Sequence, residues 1–152
     1  TDGVHTVEDL RAEYQKMLYQ NNLNTAVMDY LLANSTFKDL PKEVTDYQVN
    51  QCLNYYYTMA QYYGYDLDSF LQAAAGYNSA DDLLDAMSDS ITEYAREALL
   101  YQAVAEAMDI APTQEQIDTY SAYTETYGAN YCTMVALMDA VSEALTTGAQ
   151  VK

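Results

Sequence analysis

The sequence predicts an all-α fold of about six helices. Only five of the 152 residues are glycine and two are proline, so few positions interrupt regular structure. Valine and isoleucine are sparse and rarely alternate with polar residues, which argues against β-sheets. Apolar residues recur at three- and four-residue steps, the spacing of one helix face. A chain of this length forms about one domain.

The first helix is predicted from Thr6 to about Asn34. Its start TVED combines a threonine cap with an acid three residues later, a capping box. The segment QNNLNT is markedly polar for the middle of a helix, so we expect it to cross solvent or to contact a partner. The apolar face is formed by Val7, Leu10, Tyr14, Met17 and Leu18 and then by Val27, Met28, Leu31 and Leu32.

Proline, glycine and capping residues mark the next two helices. The second is predicted from about Lys42 to Tyr63, after Pro41 and before Gly64 as its C′ residue. A short third helix follows Asp66 and closes at Gly76.

The second half of the chain carries three further predicted helices. A long fourth helix starts at Ser79, and Pro112 follows it. A capped fifth helix starts at Thr113, and the last helix follows Gly128 and ends at Gly148. Their apolar faces contain, in order, Met87, Ile91, Tyr94, Ala98, Tyr101, Ala105 and Met108; Ile117, Tyr120 and Tyr127; and Met134, Leu137, Met138, Val141 and Leu145.

The segment NYYYTMAQYYGY of the second helix contains six tyrosines and no charge. At about 100° per residue, one stripe forms the core face, and it comprises Val49, Cys52, Leu53, Tyr56, Met59, Ala60 and Tyr63. Tyr55 and Tyr62 then lie on one flank and Tyr57 on the other. A small bundle cannot cover most of a helix circumference, so part of this surface should stay open. Tyrosine and methionine suit recognition of other chains, although tyrosine can also replace leucine in a core.

The charge is strongly acidic, with 23 acids against 6 bases and a net charge of −17. Such a surface repels phosphate backbones and anionic lipid headgroups, so we expect neither nucleic acid nor an acidic membrane as a partner. The simplest interpretation is that the acids keep an aromatic-rich protein in solution. No stretch reaches the about 18 apolar residues of a membrane span.

The sequence carries no pattern typical of a catalytic, cofactor or metal site. The only histidine, His5, precedes the first helix, and no phosphate-binding loop or nucleophile motif is present. The acidic pairs lie at predicted helix starts, where carboxylates favour the helix dipole without a metal; they are Asp66/Asp68, Asp81/Asp82 and Asp85/Asp89. Cys52 and Cys132 are expected as buried hydrophobic residues, or as a disulfide in an oxidising compartment.

Four segments resemble, in order, the C-terminal domain of bacterial trigger factor. They are TVEDLRAEYQKML with AVMDYLLANSTFKDLPKEVTDYQVNQCLNYY, then AQYYGYDLDSFLQAAAGYNSADDLLDAMSDSI, then ALLYQAVAEAMDIAPTQEQIDTYSAYTETYG. The similarity spans roughly Thr6 to Leu145. It rests on many weak matches in the right order, and parvulin-type chaperones have a similar helical peptide-binding module.

This resemblance implies an ATP-independent chaperone domain, elongated and multi-helical, with two helical arms that hold unfolded or nascent polypeptides. The helix from Lys42 to Tyr63 would belong to the first arm and the helices from Thr113 to Leu145 to the second. No cofactor and no catalytic residue is implied. The client-binding candidates are Tyr55, Tyr57, Met59, Tyr62, Tyr123, Tyr127, Met134 and Met138.

The resemblance also implies how the chain is organised and where it works. Residues 1–5 would be a linker from a preceding domain, 6–148 the helical domain and 149–152 a tail. The prolyl-isomerase and ribosome-docking domains of the family are not in this sequence. The family is cytoplasmic, whereas the scarcity of lysine and arginine after Lys42 would suit an exported, envelope-anchored relative. The alternatives are a structural module that forms a homodimer or packs on other domains and, third, a prolyl isomerase.

Overall fold

The computed structural model describes residues 5–148, except the side chain of Thr126. It is all-α, as predicted, and no strand occurs within this range. Eight α-helical segments and one π-helical turn follow one another: α1 Val7–Asn34, α2 Lys42–Tyr63, α3 Leu67–Phe70, the π turn Leu71–Ala75, α4 Ala80–Ala86, α5 Ser88–Met108, α6 Gln114–Ser121, α7 Thr124–Tyr127 and α8 Ala129–Gly148.

Local signals position the helix ends. The Thr6 hydroxyl accepts a 3.1 Å hydrogen bond from the Asp9 N–H, and the Asp9 carboxylate accepts one of 2.9 Å from the Thr6 N–H, which completes a capping box. Thr113 and Gln116 form the same arrangement at α6. Gly64 ends α2 with φ +76°, a left-handed conformation that glycine adopts without the steric cost of a Cβ.

Two of the six predicted helices are each interrupted. The predicted fourth helix divides into α4 and α5 at Met87, whose φ and ψ of −95° and 2° lie in the bridge region. The predicted fifth helix divides into α6 and α7 at Ala122 and Tyr123, where the Tyr123 N–H donates to the Tyr120 carbonyl over 3.0 Å. Neither break contains glycine or proline, so no sequence signal marked it.

The chain divides into two compact units. The unit Thr36–Leu99 contains α2, α3, the π turn, α4 and the first part of α5. Its buried side chains are Ala60, Phe70, Leu71, Leu83, Ile91 and Ala95. Leu71 and Leu83 have no exposed surface, so they mark the centre of this core.

The other unit combines residues up to 35 with residues from 100 onward, and therefore α1, the end of α5, α6, α7 and α8. On α8 the small side chains of Ala136 and Ala140 are buried in this core. The Tyr101 hydroxyl of α5 lies 3.4 Å from the Ser142 hydroxyl of α8. Its buried side chains are Met28, Leu100, Tyr101, Ala105, Cys132, Ala136, Ala140 and Val141.

Several side chains on the predicted apolar faces are exposed. The five residues predicted for the apolar face in the first half of α1 are all exposed, from Val7 at 66% to Leu18 at 41%. Tyr94 and Met108 on α5 and Ile117 on α6 are exposed too. Periodicity identifies a face correctly, but whether a neighbouring helix covers that face depends on the tertiary arrangement.

Candidate functional site

Five exposed tyrosines, here called the α2 tyrosine surface, lie on α2 and the turn after it. They are Tyr55, Tyr57, Tyr62, Tyr63 and Tyr65, exposed by 62%, 52%, 81%, 57% and 50%. Helix geometry places Tyr55 and Tyr62 on one flank and Tyr57 on the other. Tyr63 was predicted to face the core, and this prediction is wrong in part: one side of the ring packs on the buried Phe70, but 57% of the side chain stays exposed.

The rings of this surface contact one another and the core. The Tyr62 and Tyr63 ring centroids are 5.1 Å apart with the planes at 88°, an edge-to-face pair. Tyr63 in turn stacks on the buried Phe70, at 6.0 Å and 10°. Tyr63 is therefore held against the core and Tyr62 against Tyr63, and this ordering lowers the entropy that these two side chains lose when another chain covers them.

Tyr56 and Met59 are half-buried on the inner side of α2. The Tyr56 ring meets the edge of Tyr77 at 6.3 Å. Burial, followed by the neighbouring Tyr77 and Cys52, raises the pKa of Tyr56. Its hydroxyl therefore remains a neutral hydrogen-bonding group.

A second group of rings, here called the α7–α8 tyrosine cluster, comprises Tyr123, Tyr127 and Tyr131. Their centroids are 6.5 Å apart between Tyr123 and Tyr127 and 5.3 Å apart between Tyr127 and Tyr131. The first two are exposed and Tyr131 is half-buried. Met134 and Met138, the predicted α8 contacts, are also half-buried. The predicted site residues thus lie in two units: Tyr55, Tyr57, Met59 and Tyr62 in one and Tyr123, Tyr127, Met134 and Met138 in the other, with the tyrosines exposed and the methionines half-buried.

Two basic side chains of the unit that contains α2 have partners within it. Lys42 forms an ion pair with Asp46 one turn further along the helix, and the Arg96 guanidinium lies 5.9 Å from the centroid of the Phe37 ring. Both cysteines are free; Cys132 is buried and Cys52 is half-buried, and burial raises the pKa of the Cys52 thiol. Within residues 5–148, no three His, Cys, Asp or Glu side chains are grouped to hold a metal ion.

A polar cleft of about 470 Å³ lies between α1 and α8. The QNNLNT segment supplies one wall with Gln20, Asn21 and Asn24, so it packs beside α8 instead of only crossing solvent. The other wall consists of Asp139, Ser142, Glu143 and Thr146. The polarity of the QNNLNT segment was visible in the sequence. Its position beside α8 was not, because the two helices are distant in the chain.

Sequence reasoning also missed Tyr65 and Tyr131 as members of these surfaces. Tyr65 lies beyond the end of α2, so helical projection does not include it. Tyr131 lies on α8, and Gly128 separates it from Tyr127 at the end of α7, so helical projection from Tyr127 does not include it either. No helix among the described residues has the length and apolar content needed to cross a membrane.

Comparison with the sequences of known proteins identifies a family for this chain. Residues 6–145 match the sequence profile of the bacterial trigger factor protein C-terminus. The curated proteins named trigger factor from Streptococcus pyogenes serotypes M5, M49 and M1 are each 25% identical to the chain over 124 residues. That alignment covers 77% of this chain and 29% of each relative, so the chain spans less than a third of their length. No solved structure is significantly similar to it. The profile match extends across nearly the whole chain, and the protein therefore belongs to the trigger factor C-terminal domain family.

Proposed function

We propose that this domain is an ATP-independent chaperone module that binds unfolded or nascent polypeptides. The observation that carries the proposal is the exposure of Tyr55, Tyr57 and Tyr62 on one helix, by 62%, 52% and 81%. Large aromatic surface left open by a folded domain is typical of a recognition site. The proposed client contacts are Tyr55, Tyr57, Met59, Tyr62, Tyr123, Tyr127, Met134 and Met138, and we assign no catalytic residue.

The side-chain chemistry suits clients of unrelated sequence. A tyrosine ring contributes a large apolar area with few rotatable bonds, and its hydroxyl tolerates contact with water. Methionine is flexible and adapts to differently shaped partners. Weak contacts from several such side chains hold an extended apolar segment reversibly, which is what a holdase requires.

The experiment is suppression of aggregation. A chemically unfolded protein is diluted into buffer with and without a few-fold excess of this chain, and light scattering is followed. We expect slower growth of scattering, together with shifts of the amide resonances around Tyr55 and Tyr62 when an unfolded polypeptide is added. An unchanged scattering curve and unchanged resonances would contradict the proposal.

The exposed first half of α1 favours a second candidate, a structural or assembly module. Val7, Leu10, Tyr14 and Met17 follow a three- and four-residue spacing and are exposed by 47–66%. A stripe of this kind is suited to pair with another helix, in a second copy or in another domain of a longer protein. Sedimentation over a concentration series tests for the homodimer; a tight dimer that covers Tyr55, Tyr57 and Tyr62 would favour assembly over client binding.

Two cellular compartments, the cytoplasm and the cell envelope, are compatible with the proposed function. Family membership favours the cytoplasm, and the net charge of −17 would suit an exported relative. A full reading frame with an upstream signal peptide would favour the envelope, and a ribosome-docking domain would favour the cytoplasm.

A further inference from the structure

We propose that the α7–α8 tyrosine cluster is a site of oxidative modification, at which the rings of Tyr127 and Tyr131 become joined by a carbon–carbon bond. The co-reactant is a one-electron oxidant, such as a haem peroxidase with hydrogen peroxide. The product is a dityrosine that ties the end of α7 to the first turn of α8. The proposal goes beyond chaperone function and does not depend on it.

The composition of the chain directs one-electron oxidation to tyrosine. The sequence contains 17 tyrosines and no tryptophan, the other readily oxidised aromatic residue. Cys132 is buried, and burial raises the pKa of the Cys52 thiol, which lowers the fraction of reactive thiolate. Methionine is oxidised to a sulfoxide and forms no bond to a neighbouring ring. The phenols are therefore the groups on which such an oxidant acts.

Ring geometry favours the pair formed by Tyr127 and Tyr131. Their centroids are 5.3 Å apart and their planes meet at 40°. Tyr123 lies further from Tyr127, at 6.5 Å and 51°. Both separations are those of rings in direct contact. A biaryl bond joins two rings edge to edge with their planes tilted, so the pair at 5.3 Å is already close to the arrangement of the product.

Three other tyrosine pairs in the described part of the chain have perpendicular rings. They are Tyr55–Tyr56, Tyr56–Tyr77 and Tyr62–Tyr63, with planes at 88°, 87° and 88°. In an edge-to-face pair the edge of one ring points at the face of the other, so the two reacting edges do not meet. The first and third pairs are also adjacent residues, whose side chains diverge by about 100° around the helix.

Exposure and backbone conformation suit the same step. Tyr127 is exposed by 58% and Tyr131 is half-buried, so an oxidant can reach the first ring while the second lies against it. Gly128 separates the two helices with φ at +86°, and no atom lies within 4 Å of a Cβ added there. An unhindered glycine lets the backbone adjust as the two rings approach.

The cross-link removes two hydrogen atoms from the protein. Each ring loses one electron and its hydroxyl proton and becomes a phenoxyl radical. The two radicals form one bond between carbons ortho to the oxygens, and the two ortho hydrogens then move to the oxygens and restore both phenols. The two electrons and two protons reduce one hydrogen peroxide to two molecules of water.

The experiment is brief treatment of the dilute chain with a haem peroxidase and hydrogen peroxide. We expect dityrosine fluorescence in a product that runs as a monomer on a denaturing gel and has lost two hydrogen atoms by intact mass. The yield should not change on further dilution, because the reaction is intramolecular. Elastase cleavage after Ala129 should leave the two fragments joined, and tandem mass spectrometry should locate the link at Tyr127 and Tyr131.

Phenylalanine variants keep the rings and remove the phenols that form radicals. Tyr127→Phe and Tyr131→Phe should each abolish this link, whereas Tyr123→Phe should retain it. The matched control is Tyr30→Phe, because Tyr30 is more exposed than Tyr127, at 67%, and should have no effect on the yield. Circular dichroism checks that all four variants are folded.

Links that form only between chains, or mainly at Tyr62 and Tyr63, would overturn the proposal, because exposure would then outweigh ring geometry. An equal monomeric yield in Tyr131→Phe would overturn it as well. A photochemical one-electron oxidant allows the reaction to be compared in buffer and in urea. We expect the preference for Tyr127 and Tyr131 to disappear in urea; a preference that persists would show that closeness in the chain selects the pair, and the site assigned from the fold would fail.

Discussion

Replacement of Tyr62 by alanine tests whether the α2 tyrosine surface binds clients. Tyr62 is the most exposed tyrosine of that surface, at 81%, and its ring contacts Tyr63 edge to face. Alanine has the highest helix propensity, so the variant loses one ring contact and little else. We expect the stability to change by less than about 1 kcal/mol.

The expected loss of affinity follows from the exposed area. A tyrosine side chain that becomes fully covered buries about 200 Å², and Tyr62 leaves 81% of its surface open. A bound segment that covers half of the open part removes about 80 Å² from water, which contributes about 2 kcal/mol. The costs of association are shared by both variants and cancel in the comparison. The dissociation constant should therefore rise by up to about 30-fold.

Fluorescence anisotropy with a labelled, permanently unfolded polypeptide measures this change. The matched control is Tyr30→Ala on α1, because Tyr30 is exposed by 67% and lies outside the proposed contacts. We expect the control to change the dissociation constant less than about twofold. Equal losses in the two variants, or no loss for Tyr62→Ala, would refute the assignment of this surface.

Three further predictions concern stability, and one concerns catalysis. Leu83→Ala, at a side chain with no exposed surface, should lower the free energy of unfolding in urea by about 2–5 kcal/mol. The control is Leu84→Ala at a half-buried side chain, and an equal loss of stability in this variant would contradict the assignment of Leu83 to the centre of the core. Gly64→Ala should cost about 1–2 kcal/mol through strain alone, since φ is +76° and no atom lies within 4 Å of the added Cβ. Gly148→Ala, without a left-handed φ, should cost less. Asp66 caps α3 through the Ser69 N–H and hydroxyl, and these bonds lower its carboxyl pKa below 3.8. A lowered folded pKa gives stability above the unfolded pKa that is lost as pH falls, so D66N should lose less stability than the wild type from about pH 4 downward; identical pH profiles would refute the cap. A protease-coupled proline assay should detect no isomerisation by this chain, and measurable turnover would contradict the prediction that it has no isomerase site.

Much of the local structure could be predicted because caps and turns depend on neighbours in the chain. Thr6 with Asp9 and Thr113 with Gln116 form capping boxes from residues three apart. Gly64 ends α2 where a residue without a Cβ was expected. The bounds of α2 and the all-α class followed from the same kind of short-range evidence.

The candidate site could be predicted only in part. The flanking positions of Tyr55, Tyr57 and Tyr62 follow from helix geometry, and the structure leaves all three open. The exposure of Tyr63 did not follow, because periodicity gives a direction on the helix and no information about what lies there. The function of these side chains stays a prediction.

The sequence by itself determined that the chain is helical, where most helices begin and end, that it is strongly acidic, and that it has more aromatic surface than one core face absorbs. Only the tertiary structure decided which apolar stripes are covered, that the first half of α1 is open, and that Asn24 lies opposite Asp139 and Glu143. The physical reason is range: caps, turns and helix periodicity act over about four residues, whereas burial and clefts require elements distant in the chain to meet.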